Sequence, residues 1–535
     1  MRILTPIMKW ILIVMMLIVV MAGTGLTVFA DAGNLQVRQE LFTPSMPKGD
    51  QAENFDQTIV RSRYVNINFS LLDNAVQSEA ILLNLYDDVL LSAILERKEL
   101  IKPDGYAWIG HLQDVEFSQV ILVVSGGQMA GNISSPLGHY QIRFSGNQTH
   151  AVYTIDQSAF PEEQPSISIE SSPGTSPQIT ATSDLCTAID VMVVWTPAAR
   201  TAAGGITAIQ NLVNLAVQET NQSYINSNMT QRIRLAFMQE VAYAESGDFA
   251  TDLTRLKNPS DGFIDNVHSL RNTYYADMVS MFTEGTQYCG IGYLMFNVSP
   301  AFESNAFTVI ARNCATGNYS FAHELGHNQG ARHDWYMDTS TTPYAYAHGY
   351  VNTVKRWRTI MAYNDQCQAL GYYCPKVPYW SNPGIIYSGD PMGVPSGSFH
   401  PADNHLTLNN TCNTAANFRD KPDSPAAFNK INPSNGATNI SSSITLSWGS
   451  SSGATGFEYC YDTSNDSACS GSWISAAANT SVALSGLLGG TTYYWQVRAT
   501  NSDAITYANN STWWSFSTKS TSQVRSYLPL VQADN

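Results

Sequence analysis

Between about residues 33 and 158, apolar and polar positions alternate. "YVNINFSLL", "SQVILVVSG" and "HYQIRFSG" each place every second side chain on one face, with Gly and Asn turns between the runs. A period of two marks strands that bury a face. Residues 31–158 therefore predict a mostly β domain. The alternation ends at Phe160. "FPEEQPSISIESSPGTSPQITATSD", from Phe160 to Asp184, is rich in Pro, Ser and Glu and poor in large apolar residues. Residues 159–185 are expected to form an exposed linker, open to proteolysis.

The pattern changes at Cys186. "IDVMVVWTP" is a short, nearly continuous apolar run, as in a strand covered on both sides. "ITAIQNLVNLAVQETNQSYI" sets Ile206, Ile209, Leu212, Val213, Ala216 and Val217 on one helical face. "RIRLAFMQEV" alternates as a strand. A helix is expected from Asp261, with Phe263, Ile264, Val267 and Leu270 inward, and "ADMVSMF" follows as a strand. Strand–helix–strand order implies right-handed crossovers and a mixed, largely parallel, twisted sheet over residues 186–420. Beyond residue 421 the composition turns to Ser, Thr, Gly and Asn. Short strands in "SSITLSWGS", "GFEYCYD" and "TTYYWQVRATN" predict a small β-sandwich over 421–520. Residues 521–535 have no assignable role. The chain is thus expected to be multidomain.

Composition narrows the class. A net charge of -15 with only 13% charged residues offers no basic stripe for nucleic acid. Residues 1–30 carry Arg2 and Lys9, then the apolar "ILIVMMLIVVMAG", then Val28-Phe29-Ala30 at a small-residue cleavage site. This is a secretory signal, and after its removal no membrane contact is expected. If uncut, the stretch is long enough to span a bilayer. The eight cysteines suit an exported, disulfide-bonded chain. None of their spacings is a C-x-x-C pair. Connectivity is open from sequence. The expectation is three local pairs, Cys289–Cys314, Cys367–Cys374 and Cys460–Cys469, which leaves Cys186 with Cys412.

The chemistry concentrates in "FAHELGHNQGARHDW", Phe321 to Trp335. Ser320 is expected to cap a helix there. His323 and His327 lie four apart, so both project from one face and can share a tetrahedral zinc at about 2.0–2.1 Å. Glu324 projects beside them, placed to take a proton from water. Gly330 suits a left-handed turn that ends the helix and returns the chain, bringing His333 in as third ligand. Three protein ligands leave one position open, the mark of a catalytic site. HExxH alone arises by chance in roughly one chain in a hundred of this length. The added glycine and histidine lower that to about one in 10⁵.

"HELGHNQGARHD" resembles the long zinc signature of metzincin metallopeptidases, and most closely its reprolysin branch. The resemblance implies that Asp334 buttresses the site, and that Met361 of "RTIMAY" forms the methionine turn beneath the metal. Tyr363 stands where astacins and serralysins have a tyrosine that stabilises the oxyanion. "IDVMVVWTPAA", "DGFIDNVHSLRNTYYADMVSMF", "CGIGYLM" and "YWSNPGIIYSGDPMG" extend the resemblance, over roughly Cys186 to Asp420, to the bacterial peptidyl-Asp metalloendopeptidase group. Residues before 158 resemble a propeptide. Leu487 to Ala499 resembles the fibronectin type III pattern, with Tyr493 as corner tyrosine and Trp448 in the core, although Gly489 replaces the usual proline.

What the resemblance implies is a secreted, monomeric zinc endopeptidase that acts on proteins or peptides beside acidic residues. Arg356 and Arg358 of "VKRWR" are candidate cations for such a pocket. "CGIGYLM" would supply the sheet edge to which substrate adds. The C-terminal module is expected to bind a protein or polysaccharide surface. One zinc ion is the cofactor, and no pattern supports calcium. No cysteine precedes Cys186, so latency cannot come from a propeptide thiolate. The competing reading is a surface adhesion protein whose zinc domain is vestigial.

Overall fold

A computed structural model of the chain describes residues 40–46, 56–76, 79–101, 104–168, 186, 188–419, 424–501 and 504–520. The expected signal, most of the linker after Ser168 and the tail 521–535 lie outside them. Among the described residues, no helix is long and apolar enough to cross a membrane. The chain divides after Arg419 into two compact units.

The first unit contains two sheets. Strands β1 (Phe42–Pro44), β2 (Ile59–Ile67), β3 (Ala80–Tyr86), β4 (Val89–Ile101), β5 (Gly105–Leu112), β6 (Gln119–Ser125), β7 (Gln128–Ser135), β8 (Gly138–Phe144) and β9 (His150–Ile155) form a nine-stranded antiparallel sheet in the order β1-β2-β9-β8-β7-β6-β5-β4-β3. The alternation along β6 assigns its side chains to two cores. Val120, Leu122 and Val124 pack with Trp108 and Tyr140, while Ile121 and Val123 pack with Leu215 of a following helix.

The second sheet carries the chemistry. Its strands are β10 (Ile167–Ser168), β11 (Ala188–Trp195), β12 (Arg232–Glu240), β13 (Met278–Thr283), β14 (Gly290–Leu294) and β15 (Phe307–Ala311), in the order β10-β14-β15-β13-β11-β12. β12, β11, β13 and β15 are mutually parallel, and only β14 runs antiparallel to its neighbour β15. Helices α1 (Pro197–Ala203), α2 (Ile206–Asn226), α3 (Phe249–Lys257), α4 (Asn266–Thr273), α5 (Ser320–Asn328) and α6 (Asn404–Ala415) surround it.

Three expectations are corrected here. The helix expected from Asp261 begins at Asn266, and Phe263 in the preceding turn is exposed. On α2, Ile206 is exposed in the first turn, whereas the polar positions Asn211, Gln218, Glu219 and Gln222 are buried. The reason is that α2 lies between the two sheets. Its polar face meets groups of the first sheet: the Ser125 hydroxyl donates to Asn211 at 2.8 Å, Arg97 donates to Gln222 at 2.9 Å, and the Asn132 amide donates to Glu219. The third correction concerns the linker. Its first ten residues are not exposed throughout: Phe160 and Glu163 are buried, and β10 pairs with β14.

All four disulfides have the expected pairing: Cys186–Cys412, Cys289–Cys314, Cys367–Cys374 and Cys460–Cys469. In the second unit, β16 (Lys430–Asn432), β18 (Ile444–Trp448) and β21 (Ser481–Leu484) form one sheet. The other contains β17 (Ala437–Ile440), β19 (Gly456–Asp462), β20 (Ile474–Ala477), β22 (Thr492–Thr500), β23 (Ile505–Tyr507) and β24 (Trp514–Thr518). Trp448, Trp495 and Phe516 fill its core, and the Tyr493 hydroxyl accepts from the Leu488 amide at 2.9 Å.

The Cys186–Cys412 bridge closes a loop with a sequence separation of 226. Loop-closure entropy at that length reaches about 5 kcal/mol. Replacing both cysteines by alanine is expected to lower stability by up to that amount, read as a shift in the urea midpoint of the first unit.

Candidate metal centre

Helix α5 places the first two histidines. Its face formed by Phe321, Ala322 and Leu325 belongs to the main core, which fixes the rotation of the helix and turns His323 and His327 to the same side. Ser320 does not cap it. Tyr319 is the N-cap residue, in the left-handed region at φ 60°, and Ser320 is the first helical residue. The helix ends at Gly330, whose φ of 90° turns the chain back. A side chain there would also collide with Pro343, 2.9 Å from the position of a Cβ. Only glycine satisfies both conditions.

The turn brings His333 to the other two. Its Nε2 lies 3.0 Å from that of His327 and 3.3 Å from that of His323. The His323 Nδ1–H donates to the Ile360 carbonyl at 2.9 Å, and the His327 Nδ1–H donates to the Ala331 carbonyl at 2.8 Å. A carbonyl can only accept, so the proton of each ring sits on Nδ1 and Nε2 keeps its lone pair. Burial also drives His323 and His333 well below the usual imidazole range, and His327 to about 4. The Nε2 lone pairs of His323 and His327 therefore face the His333 ring. Tetrahedral ligands at about 2.0–2.1 Å from one zinc stand about 3.3 Å apart, which these separations fit.

The surrounding groups hold this geometry. Asp334 is buried. One carboxylate oxygen accepts from the Tyr336 amide at 3.0 Å and the other from the Tyr363 amide at 2.9 Å. It thereby ties the third histidine to the turn that carries Met361. Met361 is fully buried under α5, and a Cβ on Gly326 would stand 2.8 Å from its sulfur. The ring of Tyr363 lies 4.2 Å from that of His333.

Glu324 is fully buried, and neither carboxylate oxygen has a partner among the described residues. Burial, and next the charge of Glu163, hold its pKa well above the ordinary carboxylate value. A bound dication would pull it down again. Gly290 and Gly292 on β14 make room for this side chain, since a Cβ at either would come within 2.9 Å of it. The sequence pattern did not point to these glycines. A Gly-x-Gly inside a strand, where glycine is disfavoured, was the available signal.

The two arginines named as candidates for reading acidic side chains differ in exposure. Arg356 is exposed, over the ring of Tyr372. Arg358 is buried but committed to the Cys374 carbonyl at 3.0 Å, the Ala362 carbonyl at 2.6 Å and the Tyr373 hydroxyl at 3.3 Å. The cation that meets an acidic group here is Lys376. Its Nζ lies 2.7 Å from Glu163 Oε1, and neither side chain is exposed at all. Although burial opposes ionisation, Lys376 holds the Glu163 carboxyl below its usual pKa.

Residues 186–380 match the family Reprolysin_5, Metallo-peptidase family M12. The chain is 40% identical over 352 residues to a peptidyl-Asp metalloendopeptidase of Stenotrophomonas maltophilia (strain R551-3), covering 62% of this chain and 81% of that one. It is 40% identical over 308 residues to a peptidyl-Asp metalloendopeptidase of Xanthomonas campestris pv. campestris, covering 56% and 70%. A peptidyl-Asp metalloendopeptidase of Pseudomonas fragi is 40% identical over 202 residues, 38% of this chain and 100% of its own.

Gly326→Ala tests the packing under α5. Helix propensity favours alanine by about 1 kcal/mol. The new methyl would meet Met361 and the fully buried Trp380, both 2.8 Å from the Cβ position. Overpacking of this kind costs about 1–3 kcal/mol. The expected net result is a lower melting temperature together with weaker metal retention on dialysis.

Proposed function

This chain belongs to metallo-peptidase family M12, and from that premise we propose that it is a secreted zinc endopeptidase that cuts beside acidic residues. The chain is a metalloendopeptidase. The observation that carries it is the meeting of three neutral histidine nitrogens beside an unpartnered buried carboxylate.

In this reading the Nε2 atoms of His323, His327 and His333 hold one zinc ion. When bound, zinc polarises the scissile carbonyl and makes a water molecule more acidic. Glu324 is the general base. Its two free oxygens can take a proton from the attacking water and deliver it to the leaving nitrogen. Water oxygen bonds to the carbonyl carbon, the C–N bond breaks, and the amine leaves with the transferred proton. The Tyr363 hydroxyl donates to a main-chain carbonyl in this structure, that of Glu163 at 2.9 Å. The same donor would serve a substrate carbonyl as charge develops on its oxygen. Gly330, Asp334 and Met361 position the ligands.

β14 supports substrate binding, because its outer edge is the one that accepts an added strand in this chain. The acidic preference draws on the relatives and on a cation buried at the site. The secreted location draws on residues 1–30 and on the four disulfides. Residues 31–158 act as a propeptide, and the C-terminal unit as a fibronectin type III-like module that contacts a protein or polysaccharide surface. The intact ligand set and base leave the adhesion reading without support.

Glu324→Gln is expected to retain one zinc per chain and lose about 10²–10⁴-fold in kcat on a protein substrate. Metal analysis and a chelator-controlled casein assay check this. Full activity in a zinc-replete Glu324→Gln variant would remove the base from Glu324.

A further inference from the structure

We infer, on the reading that the enzyme prefers acidic residues, that Lys376 is the residue that recognises the acidic side chain, and that Glu163 occupies that subsite as a built-in substrate mimic.

Four sets of contacts converge on Glu163. First, its segment lies along the edge strand. The Gln164 amide donates to the Gly290 carbonyl at 2.8 Å, and the Cys289 amide donates to the Glu162 carbonyl at 3.0 Å. β10 continues this ladder, with Ile167 beside Tyr293 and Ser168 beside Leu294. Second, the Glu163 carbonyl accepts from the Tyr363 hydroxyl at 2.9 Å. Its main chain therefore stands at the donor assigned to the reacting carbonyl. Third, its side chain pairs with Lys376 at 2.7 Å, with both groups wholly buried. Fourth, the same carboxylate oxygen accepts from the Ser320 hydroxyl at 3.0 Å and the Asn318 amide at 3.3 Å. The Ser320 hydroxyl opens the metal-binding helix, so the carboxylate subsite is joined to the catalytic helix itself.

One residue thus presents its carbonyl to Tyr363 and its carboxylate to Lys376. Any peptide that binds by the same edge and the same tyrosine must put a side chain where that of Glu163 lies. A buried ammonium without a counter-charge is costly. Once the segment leaves, Lys376 favours a substrate that returns a carboxylate and disfavours a neutral isostere. Arg358 acts on Glu163 through its charge alone, because its donors are engaged by the Cys374 and Ala362 carbonyls and by Tyr373. The segment is also anchored upstream. The Gln157 amide donates to the Gly317 carbonyl at 2.9 Å, and the Tyr373 hydroxyl donates to the Gln157 carbonyl at 2.9 Å.

The test uses the full chain with its metal content verified. Glu163→Gln is compared with wild type. Lys376→Met and Lys376→Arg are then made in the Glu163→Gln background, so that loss of the ammonium leaves no buried Glu163 carboxylate unpaired. Each is assayed on paired peptides that differ only by Asp or Asn beside the cleaved bond. Glu163→Gln is expected to raise turnover of the uncut chain at least tenfold while favouring Asp over Asn by roughly 100-fold. Lys376→Met should bring that ratio near one, and Lys376→Arg should keep most of it. Equal melting temperatures and zinc content exclude misfolding as the cause. If Lys376→Met keeps the Asp preference, the assignment of Lys376 is overturned. If Glu163→Gln is no more active than wild type, Glu163 is not an inhibitory mimic. If Glu163→Gln is active but shows no Asp preference, the acidic-substrate reading itself fails, which is a distinct result.

Discussion

Three buried imidazoles that each turn a nitrogen toward a common point form a site suited to a cation. Each ring is neutral, each is buried, and two have their only proton committed to a carbonyl. Much of the surrounding chain serves this arrangement. The apolar face of α5 sets the rotation of two rings. Gly330 turns the third toward them, and the carbonyls of Ala331 and Ile360 fix which nitrogen points inward. Asp334 then joins the segment carrying His333 to the Met361 turn, so the histidine cluster and the turn beneath it are held as one piece.

A second constraint follows from the same burial. Lys376 and Glu163 form an ion pair removed from water, and such a pair is stable only with both partners present. On the inference drawn for Glu163, latency and specificity are two states of one site: Glu163 supplies the anion in the closed chain and the substrate supplies it in the working enzyme. This gives a route to inhibition without a thiolate, consistent with the absence of any cysteine before Cys186. The inhibitory segment needs few apolar side chains, because main-chain pairing to β14 supplies much of its binding.

The local parts of the site were legible in the sequence. Spacing of four on a helix, a glycine at its end and a third histidine are short-range facts, and they place the three ligands directly. The long-range parts were not. Lys376 and Glu163 are 213 residues apart, and neither "YYCPKVPY" nor "FPEEQP" carries a periodic signal. Composition marked residues 160–168 as linker because it reports solvent preference, whereas their partners are backbone groups and one buried cation. At α2 the apolar period showed one buried face, whereas the polar positions Asn211 and Glu219 are buried as well, against polar groups of the first sheet. Ser320 looked like a cap because its type and position suit one. In the folded chain its hydroxyl is drawn to Glu163 instead. The largely parallel sheet and the four disulfides followed expectation: the sheet reads from apolar periodicity, three bridges from pairing of nearby cysteines, and Cys186–Cys412 from what those leave over.

X-ray absorption at the zinc edge of the purified full chain tests the central claim most directly. The account predicts one zinc per chain, with three imidazole nitrogens at about 2.0–2.1 Å, and loss of the imidazole signal when His333 is replaced by alanine. A chain that folds fully without metal uptake, or a zinc ion with fewer than three imidazole ligands, would contradict it.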